Sequence, residues 1–149
     1  MDETKPDRPV GITEDARRWF DDQSAIERYC DDRPDTFAGR WREGGGTSEV
    51  LAFTDDARQH VTDLRALLND PSKVSIVHLP NTYCSLLDLR DAIPSILGTT
   101  DGLAALGPDV KANCVFVRAL PEFVEGVRST LTALYPDIRV EEGERPVAM

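Results

Sequence analysis

From Lys73 to Glu142 the apolar pattern switches repeatedly between a period of two and a period near 3.6, which constrains the fold more than any other feature of the chain. In Lys73–Leu79, Val74, Ile76 and His78 alternate with Ser75, Val77 and Leu79, a strand that Pro80-Asn81 ends. Leu86, Leu89, Ala92, Ile93 and Ile96 then fall at helical spacing behind Ser85 as a cap. Pro94 is expected to kink or shorten that helix, and Gly98 to stop it. Leu103 to Gly107 reads equally as a helical turn or a short strand. Cys114 to Leu120 is rich in β-branched and aromatic residues and predicts a strand. Pro121 opens a helix carrying Phe123, Val124, Val127, Leu131 and Leu134, and Asp137–Glu141 predicts a last short strand. The order βαββαβ predicts a ferredoxin-like α+β lobe over 73–142, with helices on one face of its sheet. Right-handed crossovers would set strand 73–79 beside 137–142 and 114–119, leaving 103–108 at an edge.

The preceding residues extend this lobe. Thr13 precedes Glu14 and Asp15, a cap followed by acids that suit a helix N-terminus. Ala16, Trp19, Phe20, Gln23, Ile26, Tyr29 and Cys30 continue a helix to about residue 31, before Pro34. Phe37 and Trp41, four apart, are expected on one face of a strand. Gly44-Gly45-Gly46 supplies a hairpin turn into a return strand, Ser48–Thr54. Thr54 would cap a second helix with the stripe Val61, Leu64, Leu67 and Leu68. The expectation is one α+β domain over 13–142, with a helix, hairpin and helix lobe at 13–72 and flexible tails at 1–12 and 143–149. No repeat of fixed period is visible.

Charge narrows the function. Seventeen Lys+Arg against 27 Asp+Glu give a net charge of -10, which argues against nucleic acid and anionic membrane surfaces as partners. The start MDETKPDRPV lacks a cationic, apolar leader, and no apolar run approaches the ~20 residues of a membrane span. Cys30, Cys84 and Cys114 are scattered, so neither a disulfide framework nor a metal is expected, and a cytoplasmic location is the default. Cys84, near a helix start, is the one thiol placed for activation, although packing is the simpler reading. His60 is expected at least half exposed. His78, at a strand end near Asn81 and Tyr83, reads better as a hydrogen-bonded structural histidine than as a catalyst. The acidic pairs Asp21-Asp22, Asp31-Asp32, Asp55-Asp56 and Glu141-Glu142 read as caps and solvated surface. No catalytic set and no cofactor are expected.

One resemblance bears on function. Phe37-Ala38-Gly39-Arg40-Trp41 resembles the Phe-Ala-Gly-x-Trp hairpin strand in the pro-regions of alpha-lytic protease and streptogrisin-type bacterial serine proteases. Val50-Leu51-Ala52-Phe53-Thr54 is similar to their return strand, and Ser85-Leu86-Leu87-Asp88-Leu89-Arg90-Asp91-Ala92 to their Ser-Leu-x-x-Leu-x-x-Ala helix start. Asp109-Val110-Lys111-Ala112-Asn113, before Cys114-Val115-Phe116-Val117, looks like their Asp-x-Arg-x-Asn turn with Lys for Arg. Ile138-Arg139-Val140 matches the final strand. The resemblance turns Leu103–Gly107 into a strand. It implies a non-enzymatic module that binds a protein, here expected without a protease domain, as inhibitor, folding aid or adaptor. The partner implied is a protein, with a serine protease the first expectation, met through an edge strand at Leu103, Ala105 and Gly107. The other reading is a small enzyme or ligand-binding protein with a pocket near Trp41, His78 and Tyr83.

Overall fold

A computed structural model describes Gly11 and residues 13–144, so the expected tails, apart from Gly11, Gly143 and Glu144, lie outside the described residues. Thr13 caps helix α1 (Glu14–Asp31), its hydroxyl accepting the Ala16 amide at 3.0 Å. Strands β1 (Phe37–Glu43) and β2 (Ser48–Phe53) form a hairpin around the glycine turn. Helix α2 (Ala57–Leu67) is capped by Asp56, not Thr54, and leads into β3 (Val74–His78). Helix α3 (Tyr83–Leu97) starts one turn earlier than Ser85 would allow, because Thr82 accepts the Ser85 amide. Pro94 is accommodated within its last turn, and Gly98, at φ 78°, closes it. Leu103–Asp109 is strand β4, followed by β5 (Cys114–Ala119), α4 (Val124–Leu134) and β6 (Ile138–Glu142). The chain is thus α+β.

The strands divide differently from the sequence expectation. Two three-stranded sheets form, β1-β2-β3 and β4-β5-β6. The four-stranded ferredoxin-like sheet over 73–142 does not appear, because β3 runs parallel to β2 instead of joining β5 and β6. The physical reason is local: α2 returns β3 to the hairpin it has just left, the same short crossover that α4 makes from β5 to β6.

The chain is therefore two copies of one unit, helix-hairpin-helix-strand, at 13–79 and 82–143. Every pairing of the first hairpin recurs 66 positions later: Phe37 opposite Phe53 becomes Leu103 opposite Ala119, and Glu43 opposite Ser48 becomes Asp109 opposite Cys114. Even the bulge recurs, after Phe37 in β1 and after Leu103 in β4. Backbone closures match as well. Thr54 N–H donates to Thr36, and Leu120 N–H to Gly102, both at 2.8 Å. Leu79 donates to Phe53 at 3.1 Å, and Gly143 to Ala119 at 2.8 Å, so Gly143 continues β6 instead of beginning a loose tail.

Each unit lays two helices on one sheet face. In the first, Ile26, Tyr29 and Cys30 of α1 and Leu64 of α2 cover Leu51 and Phe53, with Leu68 alongside. In the second, Leu86 and Ile93 of α3 and Val124, Val127 and Leu131 of α4 cover Val115, Val117 and Ile138. The bulge inserts one residue and reverses the side-chain alternation beyond it. Phe37 therefore stays on the core face opposite Phe53, while Trp41 pairs with Val50 on the other face. The two aromatics do not share a face as their spacing suggests.

Candidate functional site

The motif residues converge on the junction between the units. The β4–β5 turn brings Val110 against Gly39, where a Cβ would lie 3.1 Å from the valine Cβ. Lys111 Nζ pairs with Glu43 at 3.4 Å. Asn113, buried and at φ 57°, exchanges three hydrogen bonds with Asn81 in the segment that links the units. Asp109 closes the turn by accepting the Ala112 amide at 3.1 Å, and its other oxygen accepts from Arg139 at 2.8 Å. That Arg139 bond is the main reason the Asp109 carboxyl lies below its ordinary pKa. Glu43 is lowered first by the Trp41 indole N–H at 3.1 Å and then by Lys111.

Beside this junction lies a cleft of about 380 Å³. Phe37, Gly39, Arg40, Tyr83 and Val110 wall it, and Glu27, Cys30 and Asp31 of α1 complete it. The Phe37 and Tyr83 rings meet edge to face with centroids 6.1 Å apart. Cys30 is buried, and desolvation pushes its thiol up to about 12, so it is a poor nucleophile.

The pocket expected around Trp41, His78 and Tyr83 does not assemble as one site. Tyr83 lines the cleft. His78 pairs with Phe53 and is exposed, its Nε2 3.1 Å from the Thr54 carbonyl, while Trp41 lies on the opposite sheet face. Of the residues expected to meet a partner strand, Leu103 turns inward against the second core, as does Leu106. Ala105 and Gly107 pair with Arg118 and Phe116 on the outer face. Among the described residues β4 pairs with β5 alone and is an edge of its sheet.

His60 contradicts its expected exposure: only 4% of it reaches solvent. It stacks on Phe53 at 3.7 Å between centroids. Its Nδ1 lies 2.6 Å from the Tyr29 hydroxyl and its Nε2 2.6 Å from Asp55. Burial, the leading cause, raises the Tyr29 phenol to about 12. Asp22, expected at the surface, is 2% exposed and accepts the Asn69 and Asp70 amides at 2.8 and 2.9 Å. Glu49 is 1% exposed with Oε1 2.9 Å from Arg40 Nε, and neither of its oxygens receives a well-aligned hydrogen bond among the described residues. The signal for these three was present, since Asp22 precedes Ile26 by four, His60 precedes Leu64 by four, and Glu49 alternates with Leu51 and Phe53. Cys84 is exposed in the first turn of α3, not packed, and burial raises the Cys114 thiol.

No protein-family model matches the chain, and no curated protein matches it. Among the described residues, no group of three His, Cys, Asp or Glu side chains is placed to hold a metal, and no helix is long and apolar enough to cross a membrane.

Proposed function

We propose that the protein is a non-enzymatic protein-binding module that takes a partner strand along β4. The observation that carries this reading is the edge of the second sheet, which no described strand pairs. There Ala105 and Gly107 present little side-chain bulk, and Phe116 lies across Gly107, whose added Cβ would stand 3.3 Å from the ring. An edge strand with small residues lets another backbone approach and pair. The candidate acid–base groups support the same reading by being otherwise occupied: His60 and Tyr29 are built into a packed network, and His78 contacts a carbonyl. The resemblance to protease pro-regions makes a trypsin-like serine protease the first partner to test, in the role of inhibitor or folding aid.

The test is recovery of a partner from source cells by the wild type, Ala105→Glu and Ala105→Lys, with urea melts confirming that each variant folds. Either charge blunts an edge without touching the backbone, and the Ala105 N–H itself faces β5 in the ladder. Loss of the same partner from both variants supports strand addition. Equal recovery on all three overturns it, as does turnover of a small molecule with no protein partner.

A further inference from the structure

The cleft at the junction points to how a partner would be recognised, an inference that rests on the protein-binding reading. Its charge is unbalanced. Arg40 is the one cation among its described lining residues, and that guanidinium is already held: Nε faces the buried Glu49 at 2.9 Å and Nη2 donates to Gln23 at 3.0 Å. Two nearby cations are engaged as well. Arg33 lies 3.6 Å over the Tyr29 ring and donates to the Tyr29 carbonyl, and Lys111 pairs with Glu43. Glu27 and Asp31 are exposed and have no ion-pair partner among the described residues. Among the described residues the mouth therefore carries two carboxylates without an ion pair, while Phe37 and Tyr83 form an aromatic corner inside. Aromatic faces and carboxylates together favour a cation on a partly apolar stem. A planar guanidinium stacks on rings and bonds carboxylates in a way an ammonium does not.

We propose that this cleft receives an arginine side chain of the protein partner. Its position fits the strand along β4, because Val110 follows β4 directly and lines the cleft. A chain paired to β4 reaches the cleft as it passes the Asp109 end.

The test titrates the full chain with N-acetyl-L-argininamide and with its neutral isostere N-acetyl-L-citrullinamide, following the backbone amide signals of Gly39, Tyr83 and Val110. The expected result is saturable shifts at these amides with the arginine probe, and binding about tenfold weaker with citrulline or in the Glu27→Gln/Asp31→Asn variant. Equal binding of both probes, or shifts confined to other regions, overturns the proposal. Ala105→Lys separates the two ideas, since it should abolish partner capture and leave argininamide binding intact. If argininamide binds but a recovered partner is captured equally well by Glu27→Gln/Asp31→Asn, the cleft serves a small organic cation and the arginine proposal fails.

Discussion

Glu49 and Val115 occupy the same rung of two matching ladders, Glu49 opposite Arg42 and beside Val74, Val115 opposite Pro108 and beside Ile138. One is a buried carboxylate, the other a buried aliphatic. The contrast runs through both units. His60 and Val127 are each the fourth residue of an eleven-residue helix, and both are buried. The buried row of α1 includes Asp22 and Tyr29, whereas that of α3 is Leu86 and Ile93. Identical backbone pairing therefore tolerates two core chemistries. What the polar core requires is a partner for each group: Arg40 for Glu49, the Asn69 and Asp70 amides for Asp22, Asp55 and Tyr29 for His60. The aliphatic core has no such condition.

The largest test exchanges the two chemistries. Val115→Glu buries a carboxylate where the position matching Arg40 is Leu106, and should cost about 3–5 kcal/mol. Arg40→Leu should cost a similar ~3–5 kcal/mol by stranding Glu49. The double variant Arg40→Leu/Glu49→Val converts the first unit to the pattern of the second and should be neutral or more stable by about 1–4 kcal/mol. Urea denaturation of all four proteins measures these differences. A harmless Arg40→Leu would show that Glu49 does not depend on the guanidinium.

Less extreme is the exchange at the bulge. Gly39 and Ala105 are matched in register, and Gly39 abuts Val110 of the β4–β5 turn. Gly39→Ala adds a methyl 3.1 Å from Val110 Cβ at φ +152° and should cost about 1–3 kcal/mol. Val110→Ala removes Cγ1, 3.2 Å away, and should recover that share of the crowding, leaving the Cβ contact and the backbone strain. Thermal melts of the two single variants and the double variant separate the contributions, and additive losses would deny the contact.

How much of this was legible follows from the same contrast. Element positions were readable because caps, breakers and apolar periods are local: Thr13, Gly98 and the stripe Ile26–Tyr29–Cys30 act within a few residues. The sheet partition was not, since the order βαββαβ fits either neighbour for β3 and only the pairing with β2 decides. The duplication escaped because matched strands share almost no side chains: Phe-Ala-Gly-Arg-Trp-Arg-Glu stands over Leu-Ala-Ala-Leu-Gly-Pro-Asp. Repetition lies in the hydrogen bonds. Of the candidate sites, the β4 edge was legible as an edge. The cleft was not, because Tyr83, Val110 and Arg40 are far apart in sequence and meet only where the units dock.

Alkali should act first on the first unit. Tyr29 rises from 10.0 and Cys30 from 9.0, each to about 12, chiefly by burial. The unfolded chain releases these protons first, so stability is full below pH 9 and falls as pH rises toward 12. Tyr29→Phe and Cys30→Ala should each flatten part of that decline in stability measured against pH. An unchanged slope in both would mean the groups do not titrate between the two states. In the second unit the Cys114 thiol is raised as well, but it is partly exposed and should contribute less.

The smallest effect belongs to Glu43 and Asp109, which end the matched strands β1 and β4 and are both lowered, by different donors. Asp109 depends first on Arg139, which also reaches Glu141 at 3.5 Å, and Glu141 in turn reaches Arg118 at 3.5 Å. This ladder lies on the outer face of the second sheet and is partly solvated, so Arg139→Ala should cost less than ~1 kcal/mol. Its sign with pH is fixed. A lowered carboxyl lends stability above its unfolded value of 3.8, and that contribution disappears as pH falls below it. The gap between wild type and Arg139→Ala should therefore be open at neutral pH and close in acid, in melts recorded across that range. Lys111→Ala, which removes the lesser support of Glu43, should leave a smaller gap of the same sign. A gap that persisted unchanged in acid would show Arg139 acting through its aliphatic stem and not through the Asp109 charge.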